Sequence, residues 1–148
     1  MAKDELKEGR KGFRFLEDLT SDVLFEAWGH DLNDVFSAAG EALMSVVCDT
    51  RSVKPKKSIK IEARGKNLED LMFNWLQEIV QAVDVREMFF FRFEIEKIDK
   101  KGKFIEATAL GEEIRPELGG THVKGVTYYK FSLKKEGDVW KATASLDI

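Results

Sequence analysis

Apolar residues recur along this chain with two periods, and the changes between them outline the elements. Phe13 and Phe15 alternate with polar neighbours in Gly12 to Leu16, and Val23 to Trp28 is a second apolar run. The pattern therefore predicts two strands flanking the acidic segment Glu17 to Asp22, with Gly29 ending the second. After Asp31, a favourable cap, Leu32, Val35, Phe36, Ala39, Leu43, Val46 and Val47 recur at three- and four-residue steps, which predicts a helix amphipathic on one side. Thr50 to Lys57 is polar and basic with Pro55 inside it, a surface connection. Ile59, Ile61 and Ala63 then alternate with Lys60 and Glu62 as a half-buried strand. Asn67 can cap a second helix, with Asp70 as its capping-box partner. Its stripe of Leu68, Leu71, Met72, Trp75, Leu76, Ile79 and Val83 reads as core.

From Met88 the period returns to two. Phe89, Phe91, Phe93 and Ile95 share one face, and Arg92, Glu94 and Glu96 the other. A glycine turn over Asp99 to Gly102 leads into a paired strand, Lys103 to Leu110. Gly111 to Thr121 has no period and reads as an exposed loop, of a length that is often functional. Val123 to Leu133 and Val139 to Ile148 make a last hairpin with its turn at Lys134 to Asp138. In the final strand Trp140, Ala142, Ala144, Leu146 and Ile148 share a face, which turns Asp147 away from the core side. The element order predicts an α+β fold, two helices packed on mainly antiparallel β-sheet.

Composition narrows this further. A 43% hydrophobic chain of 148 residues suits one domain, expected over residues 12–148, while the charged stretch 1–11 reads as a flexible tail. Lys and Arg total 24 against 27 Asp and Glu, a net charge of -3, so no overall basic excess points to nucleic acid. The single cysteine, Cys48, excludes a disulfide framework and a Cys-type zinc site and fits a reducing, cytoplasmic setting. No apolar run is long enough to span a membrane, and no membrane association is expected.

Candidate chemistry is sparse. There is no nucleophile elbow, no phosphate-binding glycine loop opening a helix, and no His pair at helical spacing, since only His30 and His122 exist. The acidic positions are more informative. Asp18 and Asp22 precede a strand, and Asp147 stands beside the carboxylate of Ile148. If these loops meet, they offer oxygen ligands that favour Ca²⁺, Mg²⁺ or Mn²⁺ over Zn²⁺. On residue types alone, Asp22 as a turn former satisfying backbone donors is the preferred reading. Lys124, at the entry to a strand, is either solvated or a point charge for a phosphate or a carboxylate.

These residues also carry a resemblance. Asp-Leu-Thr-Ser-Asp-Val at Asp18 to Val23, with Ala-Trp-Gly at Ala27 to Gly29, resembles the Asp-His-Thr-Ala-Asp-Val and following glycine of the archease family. Similar correspondences run through Leu68 to Glu78, Gly111 and Glu112, Val-Lys-Gly-Val-Thr-Tyr at Val123 to Tyr128, and the terminal Leu-Asp-Ile. The resemblance implies an archease-like sandwich and a protein that is no enzyme itself but activates an RtcB-type RNA ligase in tRNA splicing. It would promote the ligase's guanylylation and multiple turnover and meet tRNA only through the ligase. It further implies that Asp22, Asp147 and Ile148 bind a divalent cation, Ca²⁺ in the form usually described, and that Lys124 is functional. Leu19 and Tyr129 stand where the family commonly has His, so a role resting on either imidazole is in doubt here. The competing expectations are a stand-alone metal-dependent phosphohydrolase on the same carboxylates, and an RNA or protein chaperone.

Overall fold

Antiparallel pairing sorts the strands into two sheets. The structure, a computed structural model, describes residues 10–18 and 22–148. Strands β1 (Lys11–Leu16), β2 (Val23–Gly29), β6 (Gly125–Glu136) and β7 (Val139–Asp147) form one sheet in the order β1-β2-β7-β6. Strands β3 (Lys57–Arg64), β4 (Met88–Ile98) and β5 (Phe104–Glu113) form the other, ordered β3-β5-β4. Helix α1 (Leu32–Val47) packs on β1, β2 and β7 of the first sheet and on β4 of the second, and α2 (Leu68–Arg86) packs on β3 to β5 and on β6. The α+β architecture and both helix caps follow the sequence pattern. Asp31 accepts a hydrogen bond from the Asp34 amide and Asn67 one from the Asp70 amide, each at 2.8 Å.

The helices differ in how much of their circumference they bury. Every residue from Val35 to Gly40 is buried, so α1 is enclosed rather than one-sided, because a sheet closes on either side of it. The small residues Ala38, Ala39, Gly40 and Ala42 make that approach possible. A Cβ on Gly40 would lie 2.9 Å from the Phe93 ring and 3.1 Å from Ile79. Helix α2 keeps the expected single stripe, with Leu71, Met72, Trp75, Leu76 and Ile79 fully buried. Trp75 joins the two helices: its indole N–H donates to the Phe36 carbonyl at 2.9 Å, which satisfies the one polar atom of the largest core side chain.

Three boundaries differ from the sequence pattern. In β4 the register slips between Phe90 and Arg92, a β-bulge that reverses side-chain parity, so Met88 and Phe90 face the core before it and Phe93 after it. Strict alternation does not predict this, since Phe89 and Phe90 are adjacent and both buried. Strand β5 runs on through Gly111 and Glu112 to Glu113, shortening the expected loop; Gly111 sits in the middle of the sheet, paired with Lys57 and Phe90. The remaining loop caps a helix. The Gly120 and Thr121 amides donate to the Val47 and Val46 carbonyls at 2.8 and 2.9 Å, supplying partners for the open end of α1. In the last hairpin β6 runs on to Glu136, past the expected end at Leu133, while β7 begins at Val139 as the pattern predicts, with Gly137 at φ 62° making the turn.

Strand β6 is an edge, and α2 covers it. The Val126 amide donates to Gln77 Oε1 at 2.9 Å and the Leu133 amide to Glu69 Oε2 at 3.2 Å, so side chains of α2 occupy donors that another chain could otherwise pair with.

Candidate metal centre

Strand register brings the predicted acidic residues together. Val23 pairs with Leu146, and Asp22 and Asp147 are the next residues of the two chains beyond that pair. Alternation puts them on the same face. Phe25 and Ala27 of β2 and Ala144 and Leu146 of β7 are buried toward the helices, which turns Asp22 and Asp147 to the opposite side. On the far side of β7, Gly125 pairs with Asp147, and the Lys124 amide donates to the Asp147 carbonyl at 2.7 Å. Asp22, Asp147 and Lys124 thus meet at one end of the four-stranded sheet, with Ile148, 39% exposed, beside them.

Asp18 has a different role. Its side chain is 5% exposed and is gripped from β6, where Lys130 Nζ lies 2.9 Å from Oδ2 and the Tyr129 hydroxyl donates to Oδ1 at 3.2 Å. The grip depends on a break in β6. Register is lost between Thr127 and Ser132, and Lys130 adopts φ 52°, a left-handed conformation uncommon for a residue with a Cβ. The Asp18 carboxylate, through hydrogen bond and charge, holds the Lys130 ammonium above its ordinary pKa. Beneath this latch, Leu24 and Ser145 are buried although they sit on the face turned from the helices, and Ser145 hydrogen-bonds Thr127. Leu19, Thr20 and Ser21 lie outside the described residues, so the departure at Leu19 has no structural account. A groove of about 580 Å³ runs beside the latch, with Asp18 and Asp22 in its wall and Phe15, Leu16, Val23 and Leu24 along it.

The donors suit a hard cation. Asp22, Asp147 and main-chain carbonyls offer oxygen only. Among the described residues no three His, Cys, Asp or Glu side chains form a metal-sized cluster. A cation here would therefore complete its shell with main-chain oxygens, such as those at Ile148, and water, as Ca²⁺ and Mg²⁺ commonly do.

The family model of the Archease protein family matches residues 13–148. The chain belongs to the archease family. It is 35% identical over 145 residues to protein archease of Methanosarcina acetivorans, covering 95% of this chain and 98% of that protein. It is also 35% identical over 141 residues to protein archease of Methanothermobacter thermautotrophicus, covering 93% and 99%. The solution structure of Methanobacterium thermoautotrophicum protein 1598 superposes with a TM-score of 0.78 at 33% identity, covering 93% of this chain and 99% of that one. The crystal structure of a Thermotoga maritima archease, described as a possible chaperone, shares the fold with a TM-score of 0.65 at 18% identity, covering 91% and 97%.

The archease motifs do not all lie together: the stretch Leu68 to Glu78 is on α2, and the others fall at two places. Asp22, Val123 to Thr127 and Leu146 to Ile148 meet at the acidic end. Glu112 stands apart and is a structural carboxylate. It is 3% exposed, accepts from the Lys54 amide at 2.7 Å and lies 3.3 Å from Arg115 Nε, and these partners, the amide first, hold its pKa below the ordinary 4.5. Arg115 Nη2 donates to Glu112 Oε2 at 3.3 Å, while the buried Arg115 Nε makes no hydrogen bond. Cys48 is an inert core thiol, pushed up to about 12 by burial and then by Asp49. His30 and His122 are exposed, and His122 faces Asp84 at 3.7 Å. The latch residues Tyr129 and Lys130 had no local signal as Asp18 partners. They are more than a hundred residues away from it, and a left-handed lysine leaves no mark in the hydrophobic pattern.

Proposed function

We propose that this archease is a non-catalytic accessory protein of tRNA splicing that activates an RtcB-type RNA ligase, promoting its guanylylation and multiple turnover. The observation that carries the reading is the register of β2 on β7, which ends at Val23 and Leu146 and so brings Asp22 and Asp147, the next residue on each, to one sheet end beside Lys124. Family membership supports the accessory role in tRNA processing. In this reading Asp22, Asp147 and Ile148 hold a divalent cation, Ca²⁺ in the first place and Mg²⁺ or Mn²⁺ as alternatives. Once bound, the cation supplies positive charge for triphosphate oxygens.

The chain's own residues do the rest. The two strands fix the carboxylates in register, and the Lys124 amide holds the Asp147 main chain. The Lys124 ammonium is an exposed point charge for a phosphate or a carboxylate of the ligase. The Tyr129 and Lys130 latch anchors the start of the loop that delivers Asp22. An acidic end does not favour bare RNA, so contact with tRNA runs through the ligase.

Multiple-turnover ligation by the ligase tests this. Wild-type protein should stimulate it, and Asp22→Ala and Asp147→Ala should not. Undiminished stimulation by both variants overturns the proposal, and so does hydrolysis of a phosphate ester by the purified protein without ligase.

A further inference from the structure

We infer that the end of the molecule opposite Asp22 and Asp147 carries a docking groove for an acidic, apolar peptide segment of a protein partner. The groove, about 850 Å³, opens where β2 ends, α1 and α2 begin, and the β4–β5 and β6–β7 turns approach one another. Its floor is apolar. Leu32, Leu68, Ile98, Phe104 and Trp140 come from five different elements or their ends, and all are half-buried, covered on the core side and open to the groove.

Its rim is cationic. Lys97 and Lys100 stand on the β4–β5 side and Lys135 on the β6–β7 side, all exposed. None of the three makes an ion pair within 4.0 Å among the described residues, and Lys135 instead lies over the Trp140 ring, 5.9 Å from its centre. The acidic residues of the groove are already engaged. Asp31 caps α1 and pairs with Arg10 at 2.9 Å, and Glu96 pairs with Lys60 across the sheet. The local field is therefore positive on a chain of net charge -3.

Charge complementarity selects the occupant. Cations on two sides of an apolar floor match a segment whose Leu or Phe side chains are interleaved with Asp or Glu. The apolar groups fill the floor, and the carboxylates meet the rim, the usual division between the core and edge of an interface. A basic segment would be repelled, and an acidic segment without apolar groups would leave the floor wet.

A fluorescein-labelled ten-residue peptide of alternating Leu or Phe and Asp or Glu, titrated with the full chain and followed by anisotropy, tests the inference. Saturable binding is expected, weakened about ten-fold or more by the triple variant Lys97→Glu, Lys100→Glu, Lys135→Glu, and weakened again by high salt. These lysines are exposed, and an unchanged circular dichroism spectrum certifies that the variant is folded. Asp22→Ala should bind the peptide as wild type does, which separates this groove from the acidic end. No saturation up to on the order of 1 mM overturns the inference. Equal affinity for the triple variant, for a Leu/Lys peptide or for polyglutamate does so too, as does displacement of the peptide by lower concentrations of ATP.

Discussion

The two ends of the four-stranded sheet are assembled by opposite rules. Where β1 and β2 pack on α1, the contacts are tight and the charges beside them are paired. Gly29 approaches the helix so closely that a Cβ would lie 2.4 Å from the Val35 amide nitrogen. Arg10 pairs with Asp31 and Asp34 at 2.9 Å each, and Lys11 binds Ser37 and Glu41 at 2.7 and 2.8 Å. At the other end, Asp22 and Asp147 follow directly on the last β2–β7 pair, and a left-handed lysine in a broken strand holds Asp18. The first contact is closed by packing and paired charges, whereas the second gathers carboxylates of like sign at the end of a sheet, an arrangement that suits the proposed cation.

Substitution should separate the ends most sharply at Gly29. Gly29→Val drives a branched side chain into backbone of α1 and should cost about 3 kcal/mol or more, because overpacking against main chain cannot relax by a rotamer change. Urea unfolding measures it. A midpoint equal to wild type would show that the close contact is dispensable and would remove half of the contrast.

The acidic end should respond to metal instead. With Ca²⁺ at a hundred times its Kd, wild type should gain about 2.7 kcal/mol against thermal unfolding. Asp22→Ala and Asp147→Ala should each lose that gain. In EDTA the same variants should lie within about 1 kcal/mol of wild type, since neither residue belongs to the core. Scanning calorimetry with and without Ca²⁺ reads both effects. Variants that are destabilised equally in EDTA and in Ca²⁺ would make the pair structural.

How much of this was legible in the sequence follows the same division. Period and caps gave both helices, most strands and the outward direction of Asp147, because those depend on neighbours in the chain. The enclosure of α1 was not legible as such. Ala38, Ala39 and Gly40 signal close approach from one side but do not say that a second sheet arrives from the other. The burial of Phe90 beside Phe89 is not legible from alternation, because a bulge reverses parity without changing composition. Glu112 was read into an exposed loop because charge argues for solvent, whereas Lys54 and Arg115, brought in by the fold, satisfy it in the interior. Asp22 and Asp147 were candidates from chemistry alone, and bringing them to one sheet end required the register between β2 and β7.

A carboxylate held for structure should also announce itself by pH. Glu112 is depressed below 4.5 in the folded chain, so its stabilisation is fully present above that value and is lost as pH falls through the folded pKa. Glu112→Gln should therefore flatten the fall of Tm between about pH 5 and pH 3 relative to wild type. The fall should not vanish, because Asp49, Glu96 and Glu113 are depressed as well. Equal slopes would mean that the Lys54 amide and Arg115 do not distinguish the charged form.

The smallest effect is expected at the latch, and it has the opposite sign in pH. Lys130 is raised above 10.5 by Asp18, so its contribution is complete below 10.5 and is lost as pH rises through the folded value. The lysine is more than half exposed, at 56%, and solvent screens the pair, so Lys130→Met should change Tm little at neutral pH. What it should change is the alkaline limb, where the variant's Tm should fall less steeply than wild type's. Ca²⁺ affinity gives the second readout. If the latch positions the loop that delivers Asp22, Lys130→Met should weaken Ca²⁺ binding by about ten-fold while Lys130→Arg retains it, the scale on which supporting contacts act on a metal. Loss of Tm without loss of Ca²⁺ affinity would place the latch with the stabilising contacts of the Gly29 end.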